Sequence, residues 1–201
     1  MTTTVRPPIA VVRHYNLLEQ LEPCGPGELF RARDTRRGRT VAVRLLPTEF
    51  MAHGVARAHL LQRAFSMRSV SHPNVTTVFD AGEHEGRVFV VFEYHQGRSL
   101  RTEMAGRRSP IRRALDVGIQ IADGLAAAHA AGFIHHGLSP ETIAVTSKGR
   151  VKIPSLDLAT CGGVEHVAER MRLRHYAAPE ESHHDRRILN TRARHLNHPL
   201  L

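Results

Sequence analysis

The residues that could do chemistry are histidine, cysteine and arginine, and each type is tested by spacing. The chain has 15 histidines. His135-His136 and His183-His184 are adjacent pairs, and adjacent side chains diverge on strands and helices. His183, His184, His195 and His198 have no Cys, Asp or Glu at ligand spacing apart from Asp185, so no metal site is expected. Cys24 and Cys161 are the only cysteines; they make no disulfide framework and match no zinc pattern. A reducing, cytoplasmic setting follows as the expectation.

Lys+Arg is 28 against 19 Asp+Glu, a formal charge of +9, and all the basic residues except Lys148 and Lys152 are arginine. The charge is scattered rather than gathered into a stripe, and aromatics make up 5% without any Trp. Both facts disfavour nucleic acid as a partner. The opening residues lack a signal peptide's apolar core. The longest helical apolar segment, Ala114 to Ile134, carries Asp116, Gln120, Asp123 and His129, so no membrane partner is expected.

These residues sit on elements that the pattern places in order. Residues 1–14 read as a flexible lead. Strands are expected from Tyr15, over Leu29–Arg33, over Thr40–Leu46, near Val75–Phe79 and over Arg87–Tyr94. A helix is expected from about Ala52 to Val70, with one face at Leu60, Leu61, Ala64, Met67 and Val70, closed by His72-Pro73. Turns fall at Arg36–Arg39 and Gly82–Gly86. After His95 the character turns helical. Ala114, Leu115, Val117, Ile121, Ala122, Leu125 and Ala128 read as a single stripe of a long helix stopped by Gly132. Two short strands, Thr142–Thr146 and Arg150–Ile153, follow around Ser147-Lys-Gly149. The order is α+β in two lobes with a boundary near His95.

Six landmarks in this order carry a resemblance. They are Val41-Ala-Val-Arg44, Ser71-His-Pro-Asn74, Val91-Phe-Glu-Tyr94, Ile134-His-His-Gly-Leu-Ser-Pro-Glu-Thr142, Val151-Lys-Ile-Pro-Ser-Leu-Asp157 and Ala178-Pro-Glu180. Residues 15–180 resemble a protein kinase domain of the bacterial serine/threonine type. The resemblance implies a kinase-like α+β fold. A complete small β-rich lobe with one helix (15–94) would precede a hinge and a partial helical large lobe (95–180). Residues 181–201 read as a polar, basic, disordered tail, and the domain as truncated after Ala-Pro-Glu.

The same resemblance implies where chemistry should reside, and there the sequence departs from the family. Glu22 and Cys24 replace the first two glycines of the phosphate loop, while Gly25 and Gly27 remain. Arg44 stands for the phosphate-binding lysine, and Arg63 for the glutamate that pairs with it, two like charges. Gly137 stands for the catalytic base, Ser139 for the following lysine, and Thr142 and Ser155 for the two magnesium ligands. Hard magnesium wants carboxylate oxygen, which hydroxyls replace poorly. Ala42 and Ala144 match the residues that sandwich adenine, and Glu93 and His95 belong to the hinge.

The expectation is therefore a degenerate, catalytically inactive kinase-like fragment acting through a protein partner. No cofactor is expected, beyond a vestigial pocket (Gly25, Gly27, Ala42, Arg44, Glu93, His95, Ala144) able to take ATP without strong dependence on magnesium. The competing readings are a divergent serine/threonine kinase with weak transfer and a basic nucleic-acid-interacting protein. The long helix is expected to expose apolar surface, which favours a partner or aggregation.

Overall fold

The computed structural model describes residues 10–22, 27–48, 54–105, 109–135 and 138–154. The chain divides into two compact units, Met1–Ser69 with Thr77–His95, and Val70–Thr76 with Gln96–Leu201.

Among the described residues, the first unit is a six-stranded antiparallel sheet with one helix. Strands β1 (Ala10–Val12), β2 (Tyr15–Leu21), β3 (Glu28–Asp34), β4 (Arg39–Leu45), β5 (Val78–His84) and β6 (Arg87–Glu93) pair in the order β1-β2-β3-β4-β6-β5. Alternation sets the inward face: Tyr15 and Leu17 on β2, Phe30 and Ala32 on β3, and Val41, Val43 and Leu45 on β4 share one apolar core with Phe89 and Val91. The sheet curls until its edges meet. His84 Nε2 donates to the Val11 carbonyl at 3.2 Å, and the Tyr15 hydroxyl donates to Asp80 Oδ2 at 3.0 Å. Burial, then the Asp80 carboxylate, pushes the Tyr15 phenol well above its ordinary range. Helix α1 (Gly54–Met67) buries Leu60, Ala64 and Met67 and packs against β5.

The hairpin between β3 and β4 is held by one buried carboxylate. Asp34 Oδ1 accepts from the backbone N–H of Arg36 at 3.1 Å and of Arg37 at 3.0 Å, and Arg39 Nε lies 3.5 Å from Oδ2. Burial alone would raise the Asp34 carboxyl. The two N–H donors, with His14 and Arg39 nearby, outweigh it and hold the group below its ordinary value.

Two expectations are corrected here. Residues 10–12, read as part of a flexible lead, form β1, with Ala10 opposite Leu17. The strand expected near 75–79 begins only at Val78 and runs to His84, so the turn shrinks to Glu85-Gly86, with φ 47° and 71°. Val75 instead bridges Ile153 in the second unit. Apolar character marked Val75 as paired but could not identify its partner.

The second unit contains β7 (Gly97–Ser99), α2 (Leu100–Met104), α3 (Ile111–Ala130), β8 (Ala144–Thr146) and β9 (Val151–Lys152), with the sheet order β7-β8-β9. Ser99 caps α2 by accepting from the Thr102 N–H at 3.1 Å. The core joins Leu100, Val117, Ile143, Val145, Val151 and Ile153, with Ile121, Leu125 and Leu138 against it. At Gly124 a Cβ would sit 2.9 Å from Ile153 Cδ1 and 3.2 Å from the Asn74 carbonyl, so glycine lets α3 approach that closely. The expected single stripe on this helix splits into two faces. Val117, Ile121 and Leu125 turn inward, while Leu115 stays 60% exposed and Ala114 and Ala122 are exposed with it.

Candidate functional site

The candidate residues of the first unit lie on the turn before β3, on β4 and at the end of β6. Gly27 has φ 81°, and a Cβ there would run into the Leu45 carbonyl oxygen, so the turn requires glycine whatever it binds. Gly25 lies outside the described residues. Strand β4 is buried on both faces. Val41 and Val43 belong to the core, while Ala42 and Arg44 share the opposite face, 8% and 5% exposed. In register, Ala42 stands opposite Phe92 and Arg44 opposite Val90. Arg44 is thus buried on the face where the resemblance sets the family's lysine, with a planar fork instead of a compact ammonium. Arg63 on α1 is half-buried. Glu93 closes β6: its N–H donates to the Thr77 carbonyl at 2.9 Å, and its Oε2 accepts from the Thr77 N–H at 3.4 Å. His95 is half-buried at the end of this unit.

In the second unit Ser139 and Thr142, which the resemblance sets at catalytic-loop positions, make a locked turn. The Thr142 hydroxyl accepts from the Ser139 N–H at 3.0 Å and donates to the Ser139 carbonyl at 3.0 Å. That same carbonyl also accepts from the Thr142 and Ile143 N–H groups, each at 3.1 Å. A hydroxyl has one proton and two lone pairs. The proton and one lone pair of Thr142 are committed to this turn, which leaves at most one lone pair on a neutral oxygen. Ser139 is 2% exposed, with its Oγ 3.4 Å from the Thr142 N–H. Both side chains at family chemistry positions thus brace the backbone. Ala144 opens β8 and is half-buried, paired with Ser99 and Lys152. Gly137 and Ser155 lie outside the described residues. In sequence, neither they nor Thr142 offers a carboxylate, and Thr142's hydroxyl is already engaged, so these positions do not fit magnesium.

A polar network elsewhere in this unit escaped sequence reading. Asn74 is 7% exposed, and its Nδ2 donates to Gln120 Oε1 and to the Val151 carbonyl, both at 2.9 Å. Gln120 Oε1 also accepts from the Val151 N–H at 2.9 Å, and its Nε2 donates to Asp116 Oδ2 at 3.1 Å. Arg113 joins Asp116 at 2.8 Å, Glu103 at 3.0 Å and the Gly149 carbonyl at 3.1 Å. The Asn74 carbonyl accepts from Ile153 N–H at 2.8 Å. The network ties α2, α3 and β9 to the 70–76 segment. The visible signal was the polar Gln120 within an apolar helix.

Among the described residues, no three His, Cys, Asp or Glu side chains gather at metal-binding distance, and no helix is long and apolar enough to cross a membrane.

Comparison with known proteins places this architecture. The family described as protein kinase domain matches residues 15–187. The chain is 35% identical over 150 residues to the probable serine/threonine-protein kinase pknA2 of Bifidobacterium longum, covering 72% of this chain and 20% of that protein. It is 33% identical over 178 residues to serine/threonine-protein kinase PknA of Mycobacterium tuberculosis, covering 84% of this chain and 41% of that protein. The chain thus spans well under half the length of these curated relatives. Among solved structures, the Mycobacterium tuberculosis PknI kinase domain superposes with a TM-score of 0.67 at 20% identity, over 82% of this chain and 72% of that one.

Proposed function

Because the chain belongs to the protein kinase family, we propose that it is a non-catalytic member, a pseudokinase, that works by binding or regulating another protein. The observation that carries this reading is the Thr142 hydroxyl, committed by two 3.0 Å hydrogen bonds to its own turn at the position of a family metal ligand. The sequence adds glycine at the base and serine at the second metal ligand. Phosphoryl transfer depends on positioning and on neutralising the transferred charge. Loss of a base alone costs about 10²–10⁴-fold in rate, and loss of the metal ligands removes the charge neutralisation as well.

A second reading, a divergent serine/threonine kinase with weak transfer, is favoured by one feature. Arg44 keeps a buried positive charge at the phosphate-binding position. On either reading Ala42 and Arg44 support ATP binding by contacts that need little magnesium, and the setting is cytoplasmic.

Two measurements separate the readings. The pseudokinase predicts that ATP raises the melting temperature equally with and without magnesium, or not at all. It also predicts that no labelled γ-phosphate reaches a protein substrate above the enzyme-free blank. Magnesium-dependent transfer that disappears in Arg44→Ala would establish the weak kinase instead. Thr142→Val tests the turn itself. It removes both 3.0 Å hydrogen bonds and the longer one from Ser139 Oγ, and leaves the Ser139 N–H without its acceptor, so stability should fall by about 1–3 kcal/mol in urea unfolding.

A further inference from the structure

We propose that the outward face of α3 is a homodimer interface, two copies pairing antiparallel through this helix about a two-fold axis at Gly118–Ile119. Ile111, Leu115 and Ile119 are 76%, 60% and 61% exposed, one full turn apart along α3. They stand beside a row of small residues, Gly118, Ala122 and Ala126, all exposed. This face points away from Val117 and Gly124, which are buried in the unit's own core. An apolar ridge with no cover within the described residues marks an association surface.

The occupant follows from self-complementarity. In a two-fold interface, a residue at one height meets the residue equally far beyond the axis on the other copy. With the axis between 118 and 119, Leu115 stands level with Ala122 of the second copy, and Ile111 with Ala126. Large therefore meets small at each layer, as close helix packing requires. Gly118 opens the backbone at the axis, where the two Ile119 side chains meet.

Charge agrees with the same register. Arg112 and Asp123 are both exposed on one edge of this face, and among the described residues neither has an ion pair or hydrogen bond within the chain. The two-fold brings like edges together. At about 1.5 Å rise per residue, Arg112 of one copy and Asp123 of the other lie about 3 Å apart in height, within side-chain reach. Two symmetric ion pairs result. Asp116, on the same side, is already held by Arg113 and Gln120.

Sedimentation velocity of the full chain over a dilution series tests this. Wild type should show a monomer–dimer equilibrium. Leu115→Glu should weaken it by at least about tenfold in Kd, because a carboxylate would be buried against Ala122. Arg112→Asp and Asp123→Arg should each weaken it several-fold, and the double reversal should restore it. All three positions are exposed, so the variants should keep the wild-type circular dichroism and melting temperature. The charge reversals decide the matter even if Leu115→Glu fails to fold. A wild type monomeric throughout, as when residues beyond 154 or another protein cover the face, overturns the proposal. So does an oligomer indifferent to these substitutions, or one that the double reversal fails to rescue.

Discussion

Replacing Gln120 by alanine should destabilise the second unit through a hydrogen bond that Val151, not Gln120, needs. Gln120 Oε1 is the acceptor for both the Val151 N–H and Asn74 Nδ2, each at 2.9 Å, and Val151 is fully buried. Leaving the Val151 N–H unpaired costs about 1–3 kcal/mol, and the lost Asn74 bond adds about 0.5–1.5. Gln120 is half-buried, so water can reach part of the vacated space and lower the total. The expected loss is about 2 kcal/mol, or roughly 4–8 °C in melting temperature for a chain of this size. Urea unfolding gives the total, and amide hydrogen exchange at Val151 gives a local reading that holds even if the two units unfold separately. Asn74→Ala and the double variant complete a cycle. The pair should be coupled by about 1 kcal/mol, since the two side chains bond each other and serve the N–H and the carbonyl of the same residue, Val151. A Gln120→Ala loss below about 0.5 kcal/mol, or additivity within about 0.3 kcal/mol, would refute the shared-acceptor account.

Asp34 makes stability acid-sensitive. Its carboxyl is held below the unfolded value, so its contribution is complete above the unfolded pKa and is lost as pH falls through the lower, folded one. Urea midpoints should therefore drop on acidification below about pH 4, and Asp34→Asn, which keeps an acceptor for the Arg36 and Arg37 N–H groups, should flatten that part of the curve; an unchanged slope would contradict the assignment. Gly27→Ala should cost at least about 2 kcal/mol by urea unfolding, because a φ of 81° and the Leu45 carbonyl both exclude a side chain. A neutral substitution would show that this turn is not held in place by β4.

What the sequence determined by itself was whatever depends on local period and residue chemistry. The β-branched run of β4, the apolar positions of α1 and the Gly132 stop of α3 were legible because side-chain alternation and helix termination act over a few neighbouring residues. The absence of a carboxylate at residues 137, 142 and 155 was legible too, since it is a matter of residue type. Tertiary structure alone decided which surface each element meets. Val75 looked like the start of a strand, but its partner is Ile153, far along the chain. The lead at 10–12 became a strand because β2 offered it an open edge. Leu115 matched Val117 in hydropathy, yet only one of them faces the core, and a helix cannot choose its inward side until β9 and Asn74 are placed against Gly124. The role of Thr142 was hidden for the same reason: a threonine's type does not say whether its hydroxyl serves a ligand or its own backbone, and only the folded turn at Ser139 commits it.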